Sequence, residues 1–196
     1  MRAEIDWSLI GDAIEFYKRF KFKYVEVPWM VFNEAIDATI PVGKQPFYIG
    51  GRHGGVSGGA LVGSAEQSFL QLMLDGKLEQ GRYVTASPCF RDDEVDELHF
   101  KDFFKVELIH VIDDTAAGQT DADALVNILL QTALHFFASK MSDTDRVRIV
   151  TTDIGRDIFV NGVEVGSYGY RTYRGHHWIY GTGLAEPRFS QARSRR

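Results

Sequence analysis

The sequence predicts an α+β domain, an antiparallel β-sheet flanked by helices. Three observations carry that expectation. Arg82 to Arg91 and Phe103 to Ile112 are β-rich runs separated by a short polar loop, residues 92–101, the pattern of antiparallel neighbours. Asn161-Gly162 stands between Ile158–Val160 and Val163–Ser167. It is the strongest short hairpin signal in the chain, because a tight type I′ turn needs positive φ at both central residues. Helical spacing flanks these strands, at Ile10, Ala13, Ile14 and Tyr17 and again at Leu125, Ile128, Leu129, Thr132 and Phe136.

The elements follow in order. Asp6 is placed to cap a helix beginning near Trp7. Lys21 to Val27 then turns β-rich, and Pro28 closes it. Residues 41–63 are loop-rich. Gly50-Gly51-Arg52-His53-Gly54-Gly55-Val56-Ser57-Gly58-Gly59 is too flexible for a helix and lacks the Gly-Lys-Ser/Thr ending of a phosphate-binding loop. It reads equally as a lid over a site or as a surface loop. Ser64-Ala65-Glu66-Gln67 fits a capping box. Phe69, Leu70, Met73 and Leu74 continue that helix, which ends near Gly76. After the two long strands comes a helix over Asp121 to Met141. Strands follow at Val147–Thr152, Ile158–Val160, Val163–Ser167 and His177–Tyr180. No repeat, low-complexity tract or linker interrupts the chain, so residues 1–196 read as one domain.

Bulk properties narrow the function classes. Apolar residues make up 44% and charged residues 25%, the balance of a soluble globular protein. A net charge of −5 argues against non-specific nucleic-acid binding through the whole surface. Cys89 is the only cysteine, which excludes an intrachain disulfide or a cysteine-based zinc site. The N-terminus has no apolar signal core, and no run approaches the roughly 20 apolar residues of a membrane span. The expectation is a cytoplasmic protein with no membrane partner. Arg193, Arg195 and Arg196 form a basic tail that reads as solvated.

The chemistry lies in two distant arginines. Arg91 follows Ala86-Ser87-Pro88-Cys89-Phe90, and Arg188 ends Tyr180-Gly181-Thr182-Gly183-Leu184-Ala185-Glu186-Pro187. Glu107 and Glu164 lie between them on expected strands. A planar guanidinium bridges phosphate and carboxylate oxygens with paired hydrogen bonds. Magnesium takes one or two carboxylates together with phosphate oxygens and water. The set suits ATP, Mg and a carboxylic acid. His176-His177 does not suit a metal, since neighbours on a strand point to opposite faces.

These residues resemble the catalytic core of class II aminoacyl-tRNA synthetases, with three signatures in that family's order. They are the helix-strand-proline unit at 7–28, Phe90-Arg91 followed by Phe103 and Glu107, and the glycine-rich strand from Gly181 leading to Arg188. Leu61-Val62-Gly63-Ser64-Ala65-Glu66 and Phe103-Phe104-Lys105-Val106-Glu107-Leu108 resemble the seryl branch. Asp157 to Gly166, containing Asn161-Gly162-Val163-Glu164, resembles the aspartyl and lysyl branch. The family usually has Glu two residues after the first arginine; here Asp93 stands there, with Glu94 next.

The resemblance implies ATP-dependent activation of an amino acid as an aminoacyl-adenylate, with Arg91 on the α-phosphate and carboxylate and Arg188 on the γ-phosphate. It implies that Phe103 stacks on adenine, while strand alternation turns one of Phe103 and Phe104 to the other face. Asp93 or Glu94 would meet the adenine amino group, and His99 the β- and γ-phosphates. Gly181 and Gly183 would leave room for the base or ribose. Glu107, Glu164 and Ser167 would be metal ligands, and Glu66 would receive the substrate ammonium. It also implies a homodimer through residues 7–28. The sequence shows no anticodon-binding or editing domain, so the acceptor stays open between tRNA, a carrier protein, a small amine and ammonia. The alternative is a non-catalytic synthetase-like paralogue that senses an amino acid or ATP, or binds a partner. Gly50-Gly51-Arg52 is only a faint echo of the biotin- and lipoate-ligase motif.

Overall fold

The computed structural model describes residues 4–41, 44–49, 58–92, 94–113, 122–142, 146–153 and 155–195. Helix α1 covers Trp7–Arg19 and is capped where expected, the Leu9 N–H donating to Asp6 Oδ1 at 2.9 Å. Short strands β1 (Lys23–Tyr24) and β2 (Met30–Val31) precede α2 (Asn33–Asp37). Then come β3 (Phe47–Tyr48), β4 (Ala60–Leu61) and α3 (Ala65–Leu74). The long strands β5 (Gly81–Phe90) and β6 (Asp102–Ile112) form the expected pair. Helix α4 (Ala122–Ser139) leads into β7 (Val147–Thr152), β8 (Gly155–Val160), β9 (Val163–Tyr173) and β10 (His176–Glu186). The last element is α5 (Arg188–Ser194).

Seven strands make the main sheet in the order β1-β5-β6-β10-β9-β8-β7. All pairs are antiparallel except β1 with β5. The β-rich reading of Lys21 to Val27 shrinks to two paired residues, Lys23 and Tyr24, at the sheet edge. A second sheet, β2-β4-β3, has three two-residue strands. The Asn161-Gly162 turn forms with φ of 49° and 82°, the positive pair a type I′ hairpin requires. Gly76 ends α3 at φ 67°. There the Lys77 N–H reaches back to Leu72 O, a left-handed helix stop. Ser64 caps α3, but Gln67 Oε1 accepts from the Gly63 N–H rather than from the cap residue itself.

Both faces of the sheet are covered, so the strands read as nearly continuous apolar runs. On one face α1, α4 and α5 pack on Val106, Leu108, Tyr168, Ile179 and Leu184. On the other, α2 and α3 pack on Ile109, Val111, Trp178 and Tyr180. Strand alternation therefore puts Phe103, Lys105 and Glu107 on the α3 face with Ile109. Phe104 goes to the opposite face and meets Trp7 edge-on at 4.6 Å. Among the described residues no helix is long and apolar enough to cross a membrane.

Candidate active site

Two cavities share a wall on the α3 side of the sheet. The smaller, about 150 Å³, is lined by Arg91, His99, Phe103, Glu164, Ser167 and Arg188 among others. The larger, about 220 Å³, is lined by residues including Glu66, Arg91, Asp92, Lys105, Arg171 and Tyr180. Arg91, Lys105 and Ser167 line both. The two distant arginines thus reach one cavity, although 97 positions separate Arg91 from Arg188.

Each arginine is aimed by its surroundings. Arg91 follows β5 directly, and its Nε donates to Gly63 O at 2.9 Å while its guanidinium carbon stands 5.1 Å from the Phe103 ring centroid. Arg188 opens α5. The first turn of that helix is tied down by Glu186, a fully buried acid. Glu186 accepts from the Ser190 N–H at 3.1 Å, the Ser190 hydroxyl at 2.8 Å and the Asp6 N–H at 3.3 Å. Burial pushes its carboxyl up, and the Ser190 and Asp6 bonds oppose that. The Glu186 carboxylate thus ties the first turn of α5 to the backbone at Asp6, just before α1.

At the shared wall Lys105 and Glu107 form a buried ion pair with an Nζ–Oε2 distance of 2.9 Å, the side chains 13% and 1% exposed. The Ser64 hydroxyl donates to Glu107 Oε2 at 2.6 Å, so the helix cap and the pair form one network. In the larger cavity Glu66 accepts from Trp178 Nε1 at 2.8 Å and from Arg171 Nη1 at 3.3 Å. Burial raises the Glu66 carboxyl, and the Arg171 charge works against that rise. His99 lines the smaller cavity with Nδ1 2.8 Å from Asp96 Oδ2. The Leu98 N–H and then His99 hold Asp96 down to about 2.

Several expectations need correction. Gly181 and Gly183 do not face the cavity. A Cβ on Gly181 would stand 2.6 Å from the Tyr168 ring and 2.8 Å from Leu129, and one on Gly183 would stand 2.7 Å from Tyr17. All three neighbours belong to the core under α1 and α4. Alternation turns Thr182 to the cavity and Gly181 away from it, and the ladder bulges at Gly183, between Thr182 and Leu184, so that Ala185 joins Thr182 in the lining. Glu107 lines neither cavity, because Lys105 and Ser64 already occupy its oxygens. Glu94 is exposed on the loop and also lines neither. Asp93 lies outside the described residues. A test follows for Gly181. Gly181→Ala should destabilise the fold by about 1–3 kcal/mol through overpacking, read by urea denaturation. Unchanged stability would return Gly181 to the cavity wall.

Sequence reasoning gave no role to Lys105, Asp157, Arg171 or Thr182. Lys105 and Glu107 were legible as charges at alternate positions of an otherwise apolar strand. Asp157 pairs with Ser167 across the ladder. Burial raises its carboxyl, Ser167 lowers it, and the neighbouring Glu164 raises it further. Arg171 carried no local signal, since its importance depends on Glu66, 105 positions away.

No protein-family model and no curated protein matches the sequence. Solved structures do match. Pyrrolysyl-tRNA synthetase from Desulfitobacterium hafniense aligns over 96% of this chain and 72% of its own, with TM-score 0.67 and 14% identity. Cytoplasmic serine-tRNA ligase from Naegleria fowleri, in complex with AMP, aligns over 94% and 47%, with TM-score 0.71 and 14% identity. Seryl-tRNA synthetase from Pyrococcus horikoshii, complexed with ATP, aligns over 95% and 49%, with TM-score 0.70 and 16% identity. The chain spans about half the length of the seryl enzymes. Its large, mainly antiparallel sheet flanked by helices is the fold of the class II synthetase catalytic core.

Proposed function

We propose that this chain, on its class II synthetase-like fold, activates an amino acid with ATP. The observation that carries the proposal is the joined pair of cavities, with Arg91 and Arg188 on the smaller one and Arg91 at the junction with the larger. ATP would occupy the smaller cavity and the amino acid the larger. A carboxylate oxygen would then attack the α-phosphorus, forming the mixed anhydride and releasing pyrophosphate. Such a step depends chiefly on positioning and on charge stabilisation. Arg91 stands where α-phosphate and carboxylate would meet, and Arg188 would take the γ-phosphate. Phe103 offers a face for adenine, and stacking of that kind contributes roughly 1–3 kcal/mol. His99 would meet the β- and γ-phosphates.

The residues fit magnesium in a limited way. Among the described residues no three acids, histidines or cysteines cluster as a ready-made metal cage. Magnesium does not need one, as it is commonly held by one or two carboxylates plus phosphates. Glu164 and Ser167 line the smaller cavity and would hold it, with Asp157 behind them. Bound there, it would neutralise phosphate charge.

The deciding experiment is exchange of labelled pyrophosphate into ATP across a panel of amino acids. Exchange with any member supports adenylation. Silence across the panel, with ATP binding intact, favours the sensor reading instead. The acceptor, whether tRNA, a carrier protein or a small amine, would then be sought by adding each to the assay.

We also propose a homodimer. Its interface would run through residues 7–28, where Trp7 and Tyr24 are 59% and 42% exposed, and continue into Trp29 and Phe32, 56% and 67% exposed. A cluster of large exposed apolar side chains marks an interaction surface. Light scattering should give twice 22.2 kDa, and a monomer at micromolar concentration would remove this proposal.

A further inference from the structure

The wall of the larger cavity carries a charge pair, Glu66–Arg171, of which the adenylation reading uses only the acid. Arg171, on β9, donates from Nη1 to Thr39 O at 2.9 Å and to Glu66 Oε2 at 3.3 Å. Its guanidinium carbon stands 4.8 Å from the Tyr180 ring centroid. A carbonyl, a carboxylate and an aromatic face thus fix its orientation. The arginine side chain is 29% exposed and Glu66 is 8% exposed. A guanidinium has five N–H donors; two bonds leave from Nη1 and the Tyr180 hydroxyl takes a further one, which leaves donors for ligand oxygens in the cavity that Arg171 lines.

The other charges around this cavity have defined tasks. Lys105 is held by Glu107, and Asp92 by Lys101 at 2.7 Å. Arg91 stands at the junction with the nucleotide cavity. Lys44 adds a further cation to the lining. A ligand ammonium therefore finds one well-placed acid, Glu66, and that acid already shares its charge with Arg171.

The consequence is electrostatic. The Glu66–Arg171 contact at 3.3 Å is longer than the roughly 2.7–2.9 Å of a tight charge-assisted bond. An entering ammonium that takes over Glu66 leaves the Arg171 charge without its counter-ion in a half-buried wall, which is unfavourable. An amino acid with a neutral side chain offers nothing to offset that. One with a second anionic group offers both partners: its ammonium to Glu66, its anion to Arg171. Each protein charge then keeps an opposite neighbour.

We infer that the larger cavity selects an amino acid whose side chain ends in an anionic group, received by Arg171. This rests on the adenylation reading for its location beside Arg91. The shared chemistry is an oxyanion able to accept two parallel N–H bonds, supplied by either a carboxylate or a phosphate.

The test runs the pyrophosphate-exchange panel with L-aspartate, L-glutamate and O-phospho-L-serine beside L-serine, L-asparagine, L-glutamine and apolar amino acids. The expected result is exchange confined to one or more of the first three, with carboxylate and phosphate sources told apart directly. In Arg171→Gln, kcat/KM for that substrate should fall about 10- to 100-fold, the loss of a charge-assisted contact. Arg171→Lys should keep part of it, and thermal unfolding confirms that each variant folds. Exchange with serine or an apolar amino acid, and none with the anionic three, overturns this inference while leaving adenylation standing. If no amino acid supports exchange, calorimetric titration of the same three into wild-type protein decides. Binding that Arg171→Gln abolishes supports the inference without adenylation, and no binding overturns it. Should Arg171→Gln not fold, the wild-type panel decides alone.

Discussion

Arg91→Ala is expected to lower pyrophosphate exchange by about 10²- to 10³-fold, the typical loss when one preorganised donor to a developing charge is removed. The effect should be larger in kcat than in KM, because on the proposed reading the group would meet the α-phosphate and carboxylate most strongly as the bond between them forms. Stability should change little. Among the described residues the side chain makes one hydrogen bond, to Gly63 O, and lies over one ring, that of Phe103; a net contribution of about 1 kcal/mol is the usual size of such a bond. A folded Arg91→Ala protein with unchanged exchange would remove this arginine from the chemistry. The same assay on Arg188→Ala should raise the KM for ATP, because that residue lines only the smaller cavity, the one proposed for ATP.

Glu107→Ala is expected to do the opposite and act first on the fold. Glu107 is 1% exposed and accepts from both Lys105 and Ser64. Removing it leaves an ammonium 13% exposed without a counter-ion, and breaking a buried pair in this way costs about 3–5 kcal/mol. Domains of this size are stable by only about 5–15 kcal/mol, so the variant should unfold at much lower urea. The double variant Lys105→Met with Glu107→Leu removes both charges and should regain most of that loss. It should not regain full exchange, because Lys105 lines the junction of the cavities. If the double variant is as unstable as the single one, the pair is not what holds this part of the sheet. If it exchanges at the wild-type rate, Lys105 has no part in the reaction.

The contrast between these two residues mirrors what could be read from the chain. Arg91 sat in a recognisable local context, immediately after a long strand. Glu107 sat in the same stretch and read as a metal ligand. Its partner Lys105 lies only two residues away, at a position that shares its face of the strand. That alternation was visible, but nothing in it said whether the two charges would face a cation or each other. Gly181 and Gly183 misled for a related reason. A glycine-rich strand signals a close approach without naming the group that approaches, and here it is the rings of Tyr168 and Tyr17.

The sequence by itself determined the order and kind of the main elements. Asp6, the Asn161-Gly162 turn and Gly76 each act on backbone groups within a few positions. The alternation that separates Phe103 from Phe104 is equally local, since neighbouring side chains on any strand point to opposite faces. Only the tertiary structure decided which residues line the two cavities and which charge meets which. Arg188 comes to the same cavity as Arg91 because β10 returns beside β6, and Arg171 reaches Glu66 because β9 lies beside β10, whose Trp178 and Tyr180 pack under α3. Such encounters depend on strand order, on a one-residue bulge at Gly183 and on the packing of helices onto both faces. These are long-range terms that no short window of residues encodes.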